Sequence, residues 1–344
     1  MMLPVSVVIP ARNEEQTIVA CVRALREQSV SATALEVIVV VAGDDRTAAV
    51  AASADAGEFG RFEIVRLEEG DKNAALRAGC ARATGETLLL LDADTELAPT
   101  AIEEFVRVLA SAPRTVAHGA MHPRINTWVA RYSELNRKLV KQLSFDGHLS
   151  GEVIALPRAA VADDLATFFP DNVGPNCDAY LGRILRQHGW RTAYASAATA
   201  TTLFPWTVRG LIASQLRNRR SAIATLSWME AVPQAAKSAV LVVALPIAIA
   251  LWSYSAKWAV VCASPLFVHV ASFAWRVESL RRRGYGDYRL DIPLFATLDV
   301  IARGLKLWAF LERVVGRRPL NIFRGERPET PLPFRTAAGN QPER

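Results

Sequence analysis

The chain has 344 residues, 51% of them hydrophobic and 22% charged, with a formal net charge of +6. That composition excludes a disordered chain and a purely polar surface protein, and the length allows one large or two medium domains. The charge is unevenly placed: residues 1–200 carry 20 Lys and Arg against 25 Asp and Glu, a balance of −5, and residues 201–344 carry 20 against 9, a balance of +11.

Residues 5–9 read as a core strand, and because no basic stretch precedes them no signal peptide is expected. Residues 13–28 follow as a helix, with Ile18, Val19, Val22 and Leu25 at helical spacing. Strands are expected over 36–41, 62–67 and 87–91, and helices over 47–56, 73–83 and 99–110. This alternation predicts an α/β fold with a mostly parallel, Rossmann-like sheet and helices on both faces. From about residue 115 to 205 the pattern loosens, apart from helices over 124–142 and 176–188.

The basic part of the chain carries the long apolar runs. Residues 238–254 and 258–275 are uncharged, with Trp252, Tyr254, Trp258 and Trp275 at their ends. Arg217, Arg219 and Arg220 precede the pair and Arg276, Arg281, Arg282 and Arg283 follow it. Basic flanks on both sides of a short hairpin predict two cytoplasmic ends, or else a re-entrant hairpin. Residues 292–315 place Leu294, Leu298, Ile301, Leu305, Trp308 and Leu311 on one face, the pattern of a helix lying in a membrane interface. A basic half with apolar runs points to an anionic membrane surface, and nucleic acid is not expected as a partner. Cys21, Cys80, Cys177 and Cys262 are scattered, which argues against a disulfide framework or a zinc site.

One stretch carries chemistry by itself. Leu88, Leu89, Leu90 and Leu91 read as a strand buried on both faces, and Asp92 and Asp94 stand where it ends. Ligands of open α/β sheets bind at that edge, and two close carboxylates there suit a hard divalent cation that completes its shell with phosphate oxygens and water.

Three ordered landmarks widen this into a resemblance. The segment Val5–Glu15, then Lys72–Gly79 with Ala83–Glu86, then Leu91–Thr95, is similar to a family 2 glycosyltransferase of the inverting GT-A fold over about residues 3–220. The resemblance implies transfer of a sugar from a nucleotide-diphosphate donor, UDP-linked, with Mg²⁺ or Mn²⁺ held by Asp92 and Asp94. It places Pro10, Ala11, Asn13, Glu14, Asp44, Asp45, Lys72, Asp92 and Ala93 near the nucleotide. An acid after strand two is usual there, and which of Asp44 and Asp45 takes that place stays open. Asp178 is the implied general base, with Cys177 in the position usually held by Glu. Ser150 and Gly151 fall on the acceptor side. Gln215, Arg217 and Arg219 resemble the family's Gln-x-x-Arg-Trp segment, in which a one-residue slip in a loop would bring Arg217 or Arg219 to the diphosphate or the acceptor.

The resulting domain plan is a catalytic GT-A domain over 1–220, with a nucleotide half at about 1–112 and an acceptor half at about 113–220. A helical hairpin over 221–285, an amphipathic region over 286–324 and a tail over 325–344 complete it. The expected enzyme sits on the inner, cytoplasmic membrane with its catalytic domain on the cytoplasmic face, serving cell-envelope polysaccharide or glycolipid synthesis. Its acceptor is a lipid, a polyprenol-linked compound or a glycan. The alternative is a non-catalytic sugar-nucleotide-binding membrane subunit. A nicotinamide dehydrogenase is set aside because no Gly-x-Gly-x-x-Gly follows an early strand.

Overall fold

The computed structural model describes residues 5–55, 57–68, 71–141, 149–171 and 177–316, with backbone alone at 140, 141, 221, 222, 224 and 225. His148, Asn176 and the tail over 325–344 lie outside the described residues.

Eight strands form one sheet: β1 (Val5–Arg12), β2 (Leu35–Ala42), β3 (Arg61–Leu67), β4 (Thr87–Leu91), β5 (Glu96–Leu97), β6 (Thr115–Pro123), β7 (Val153–Pro157) and β8 (Arg191–Thr202). Their spatial order is β3-β2-β1-β4-β7-β6-β8-β5. The first four pair in parallel, as expected. Beyond β4 the sheet is mixed: β7 runs antiparallel to both β4 and β6, β6 and β8 are parallel, and β5 closes antiparallel on β8.

Helices α1 (Ile18–Arg26), α2 (Thr47–Ala54), α3 (Lys72–Cys80), α4 (Ala101–Ser111), α5 (Trp128–Lys141), α6 (Leu165–Phe168) and α7 (Cys177–Gln187) cover the sheet. Side chains alternate across strands, so the apolar runs split into two cores. Val7, Ile9, Val37, Val39, Leu89 and Leu91 face α1, α2 and α4. Val8, Ile38, Val40, Leu88 and Leu90 face α3 and α7. Helix α3 lies close on the sheet because Gly79 has no side chain: a Cβ there would stand 2.3 Å from Val8 Cγ1. At the opposite end of the strands from the acids, buried Glu36 accepts from Ser6, from Thr84 N at 2.8 Å and from Arg61. These bonds outweigh the effect of burial and hold its pKa below the ordinary glutamate value.

Four long helices follow: α8 (Val208–Thr225), α9 (Trp228–Trp252), α10 (Ala256–Arg282) and α11 (Ile292–Val315). Thr207 caps α8 through Gly210 N at 3.0 Å. Ser227 and Glu230 form a capping box at the start of α9. Helices α9 and α10 run unbroken through Pro233, Pro246 and Pro265, and at 25 and 27 residues they are longer than the charge-free runs they contain. They reach about 37 and 40 Å at 1.5 Å per residue, long and apolar enough to cross a membrane. Helix α11 packs on α8 and α9. Its buried face is Phe295, Ala296, Ala302 and Ala309, whereas Leu294, Ile301, Trp308 and Leu311 of the expected stripe are each about half exposed.

Candidate active site

The site grows from the carboxyl ends of β1, β2 and β4. β1 ends on Pro10, Ala11 and Arg12, and Asn13 then adopts a left-handed φ of 56°. Asn13 lies against Gly43, which has φ 119°, where a Cβ would meet Asn13 Oδ1 at 2.3 Å. Only glycine fits both the angle and the space. Asp45 is consumed by this turn: it accepts from Thr47 N at 3.0 Å, from Thr47 Oγ1 at 2.6 Å and from Glu15 N at 3.3 Å. Thr47 Oγ1 in turn accepts from Glu14 N at 2.7 Å, and Glu14 Oε2 accepts from Thr17 Oγ1 at 2.8 Å. Asp44, next to this cross-link, is exposed.

β4 delivers the acid pair. Asp92 N donates to Glu152 O at 2.9 Å, and Thr95 N closes a turn on Asp92 O at 3.0 Å. Ala93 between the two acids is buried. Asp92 forms an ion pair with Lys72, the first residue of α3, and Lys72 Nζ also donates to Gly151 O at 3.0 Å. Burial pulls the Lys72 ammonium down, but Asp92, Cys177 and Asp178 around it outweigh that and hold it above the usual lysine value. Asp94 is half-buried, with Thr95 and Thr202 hydroxyls at 3.4 Å. Burial, then the charge of Asp92, pushes its carboxyl up. Two acids that repel each other at a strand end suit a cation. Among the described residues no group of three or more His, Cys, Asp or Glu side chains could hold a metal alone. Two carboxylates alone would leave most of a hard cation's ligands to a bound phosphate and water.

Asp178 enters from the far wall. It sits in the first turn of α7 and accepts from Ala179 N at 2.9 Å, where the helix N-terminus favours an anion. Gly151 lies directly against it, so a Cβ there would be 3.0 Å from Asp178 Cβ. Lys72, Asp92, Gly151, Cys177 and Asp178 line one cleft. Ser150 is buried beside it.

Two arginines complete the site without having been singled out in the sequence. Arg137 on α5 is ion-paired with Glu152, stacks 4.5 Å over Phe204, and feels the charges of Asp178, Asp94 and Asp92. Arg124, after β6, donates to Asp94 O at 2.9 Å and pairs with Glu96 at 2.7 Å. No motif marks either: Arg137 reads as one more polar position of an amphipathic helix.

The segment Gln215–Arg219 requires a correction. It lies inside the continuous helix α8, so there is no loop in which the register can slip. Residues two apart on a helix point to nearly opposite faces. Arg217 is exposed, and its charge acts on Arg137, on the cleft side. Arg219 instead faces Asp299, Tyr132 and Arg303 and is not brought to the cleft. Gln215 is half-buried on the same helix.

A sheet with parallel β1–β4, a mixed extension, and an acid pair at its carboxyl edge defines a GT-A-like α/β domain. The family model described as "Glycosyl transferase family 2" matches residues 6–151, so this stretch of the chain is similar to that family. An N-acetylglucosaminyltransferase of Rhizobium leguminosarum bv. viciae is 24% identical over 235 residues, covering 63% of this chain and 55% of that protein. One of Mesorhizobium japonicum is 28% identical over 237 residues, with the same coverage of both chains. The chain thus spans about half the length of these curated relatives. Among solved structures, a mannosyltransferase from Pyrobaculum calidifontis, in complex with GDP-Man and Mn²⁺, matches with a TM-score of 0.61 at 20% identity, over 92% of this chain and 89% of that one. At that identity the likeness speaks for the fold alone.

Proposed function

We propose that this chain is an inverting, membrane-attached glycosyltransferase that moves a sugar from a UDP-linked donor to a hydroxyl of a lipid, polyprenol-linked or glycan acceptor. The observation that carries the reading is the convergence of Asp92, Lys72 and Asp178 on one cleft, with Gly151 bridging them. Relatives named as N-acetylglucosaminyltransferases make an N-acetylglucosaminyl donor the first to test.

In this reading Pro10, Ala11, Asn13 and Glu14 frame the base, and Asp44 rather than the turn-bound Asp45 meets the nucleoside. Asp92 and Asp94 would hold Mg²⁺ or Mn²⁺, which would offset charge on the departing diphosphate. Lys72, and Arg217 and Arg137 from the other wall, add fixed positive charge around that diphosphate. Asp178 takes the proton of the acceptor hydroxyl as that oxygen attacks the sugar from the face opposite the leaving group, which inverts the anomeric centre. Gly151 leaves room beside the Asp178 carboxylate, and Ser150 flanks the acceptor side.

The membrane reading is supported by exposure. Only 22% and 11% of the most apolar windows of α9 and α10 are buried, whereas the core helix of a soluble domain is mostly covered. Val243, Leu245, Ile249, Phe267, Val268 and Trp275 all point outward. Both ends of the hairpin then lie on the catalytic, cytoplasmic side. Membranes containing the chain should move labelled N-acetylglucosamine from UDP-N-acetylglucosamine into solvent-extractable lipid, and Asp178→Asn membranes should not. Equal labelling by the two would remove Asp178 from the role of base.

A further inference from the structure

The C-terminal helices bury a charged cluster that the proposed transfer reaction does not use. Asp299 on α11 lies 3.3 Å from His269 Nε2 of α10 and 3.1 Å from Arg303 Nε. Arg219 on α8 and Arg276 on α10 feel its charge, Arg303 on α11 pairs with it, and Lys306 on α11 adjoins Arg219, Arg303 and the exposed Lys237 of α9. Lys306 Nζ bonds only to the neutral amide of Gln234 among the partners described. Burial first, and then the like charges of Arg219, Arg303 and Lys237, pull its pKa down to about 8. Arg219 Nε and the hydroxyl of Tyr132, itself only 1% exposed, are buried with no hydrogen-bond partner among the described residues. Buried polar atoms are rarely left so, and a missing anion would satisfy them.

The place of the cluster matters as much as its charge. Helices α9 and α10 pack as a hairpin, so the start of α9, with Gln234 and Lys237, and the end of α10, with Arg276, lie at the same, open end. There the charged surface gives way to the uncharged run that begins at Ser238. This is the level at which a lipid head group meets a protein.

We infer that Arg219, Arg303 and Lys306, backed by Lys237 and Tyr132, bind the phosphate of an amphiphile at the open end of the α9–α10 hairpin. Arginine presents a planar fork to phosphate oxygens and lysine a point charge, and the tail of the lipid would lie along the exposed apolar faces of α9 and α11. The inference rests on the reading of α9 and α10 as membrane helices, and not on the sugar-transfer chemistry.

The test uses the full chain in neutral detergent, with dioleoyl phosphatidic acid as the probe, read by tryptophan fluorescence and by the rise in Tm. Lys306→Met and Arg219→Met should each weaken binding about five- to tenfold. Without lipid, their Tm should equal or exceed that of the parent, because a repelling charge is gone. Lys257→Met, in the first turn of α10, should bind as the parent does. Unchanged affinity in both variants, or a lower lipid-free Tm in both, would overturn the site. Displacement of phosphatidic acid by millimolar inorganic phosphate would overturn the lipid as the source of the phosphate. In flotation, a chain that rises with no vesicle would overturn the membrane reading. One that rises equally with phosphatidylcholine alone and with added phosphatidic acid would overturn only the cluster.

Discussion

The nucleotide half and the helical C-terminal region place charge and oil in opposite ways. In β1–β4, apolar side chains turn inward into two cores, and the acids gather at one open edge. In α8–α11, large apolar side chains of α9 and α10 face outward, and Asp299, Arg219 and Arg303 face one another between the helices. A domain that meets water on all sides hides its oil, whereas one that meets lipid can leave it outside. The contrast teaches where each kind of residue is informative: an exposed acid in the first region, a buried cation in the second.

The comparison can be broken most severely at Asp178. Asp178→Asn should lower turnover by roughly 10²- to 10⁴-fold, the usual worth of a general base, while UDP affinity stays within about twofold. A matching loss of UDP affinity would make Asp178 a binding residue instead. The next largest effect lies at Glu36, where Glu36→Gln should cost about 2–3 kcal/mol of stability by unmaking bonds from Ser6, Thr84 and Arg61. Because the folded pKa of Glu36 lies below its unfolded value, its stabilisation is fully present above about pH 4.3 and is lost as pH falls through the folded pKa. The Tm difference between parent and variant should therefore shrink on acidification; a constant difference would contradict this.

Gly79→Ala should cost about 1–3 kcal/mol, since α3 must lift away from Val8. Thermal unfolding measures it. The finest test separates neighbours: Asp45→Asn should lower stability by about 1 kcal/mol through the lost turn bonds, whereas Asp44→Asn should leave Tm unchanged and weaken UDP binding. In the helical region Ile249→Asn should leave the fold in detergent intact, because Ile249 is 67% exposed, and should reduce recovery with membranes.

Much of the first half was legible because its strands are uninterrupted apolar runs and its turns carry distinctive residues, as at Pro10, Asp92 and Asp94. The mixed extension was not. β8 is mostly Ala and Thr and β6 mixes Ala, His, Gly and Thr with Val and Met; with a register shift at Gly119, they show neither alternation nor an apolar run. The order along the chain marks the acid pair and Asp178 as candidates, whereas Arg137 and Arg124 come near the acids only through the packing of α5 and the end of β6. Arg219 misled for a physical reason: a basic motif read as loop is a helix, and its rotation separates Arg217 from Arg219. The α11 stripe read correctly as apolar, and its outward orientation emerged only from the alanine face that packs on α8 and α9.

The most direct measurement of the central claim is calorimetric titration of UDP and of GDP into the detergent-solubilised chain, with and without Mn²⁺, beside Asp94→Ala and Asp178→Asn. The account predicts UDP binding that needs the metal, disappears in Asp94→Ala and survives in Asp178→Asn. Nucleotide binding that ignores both Mn²⁺ and Asp94→Ala would contradict it.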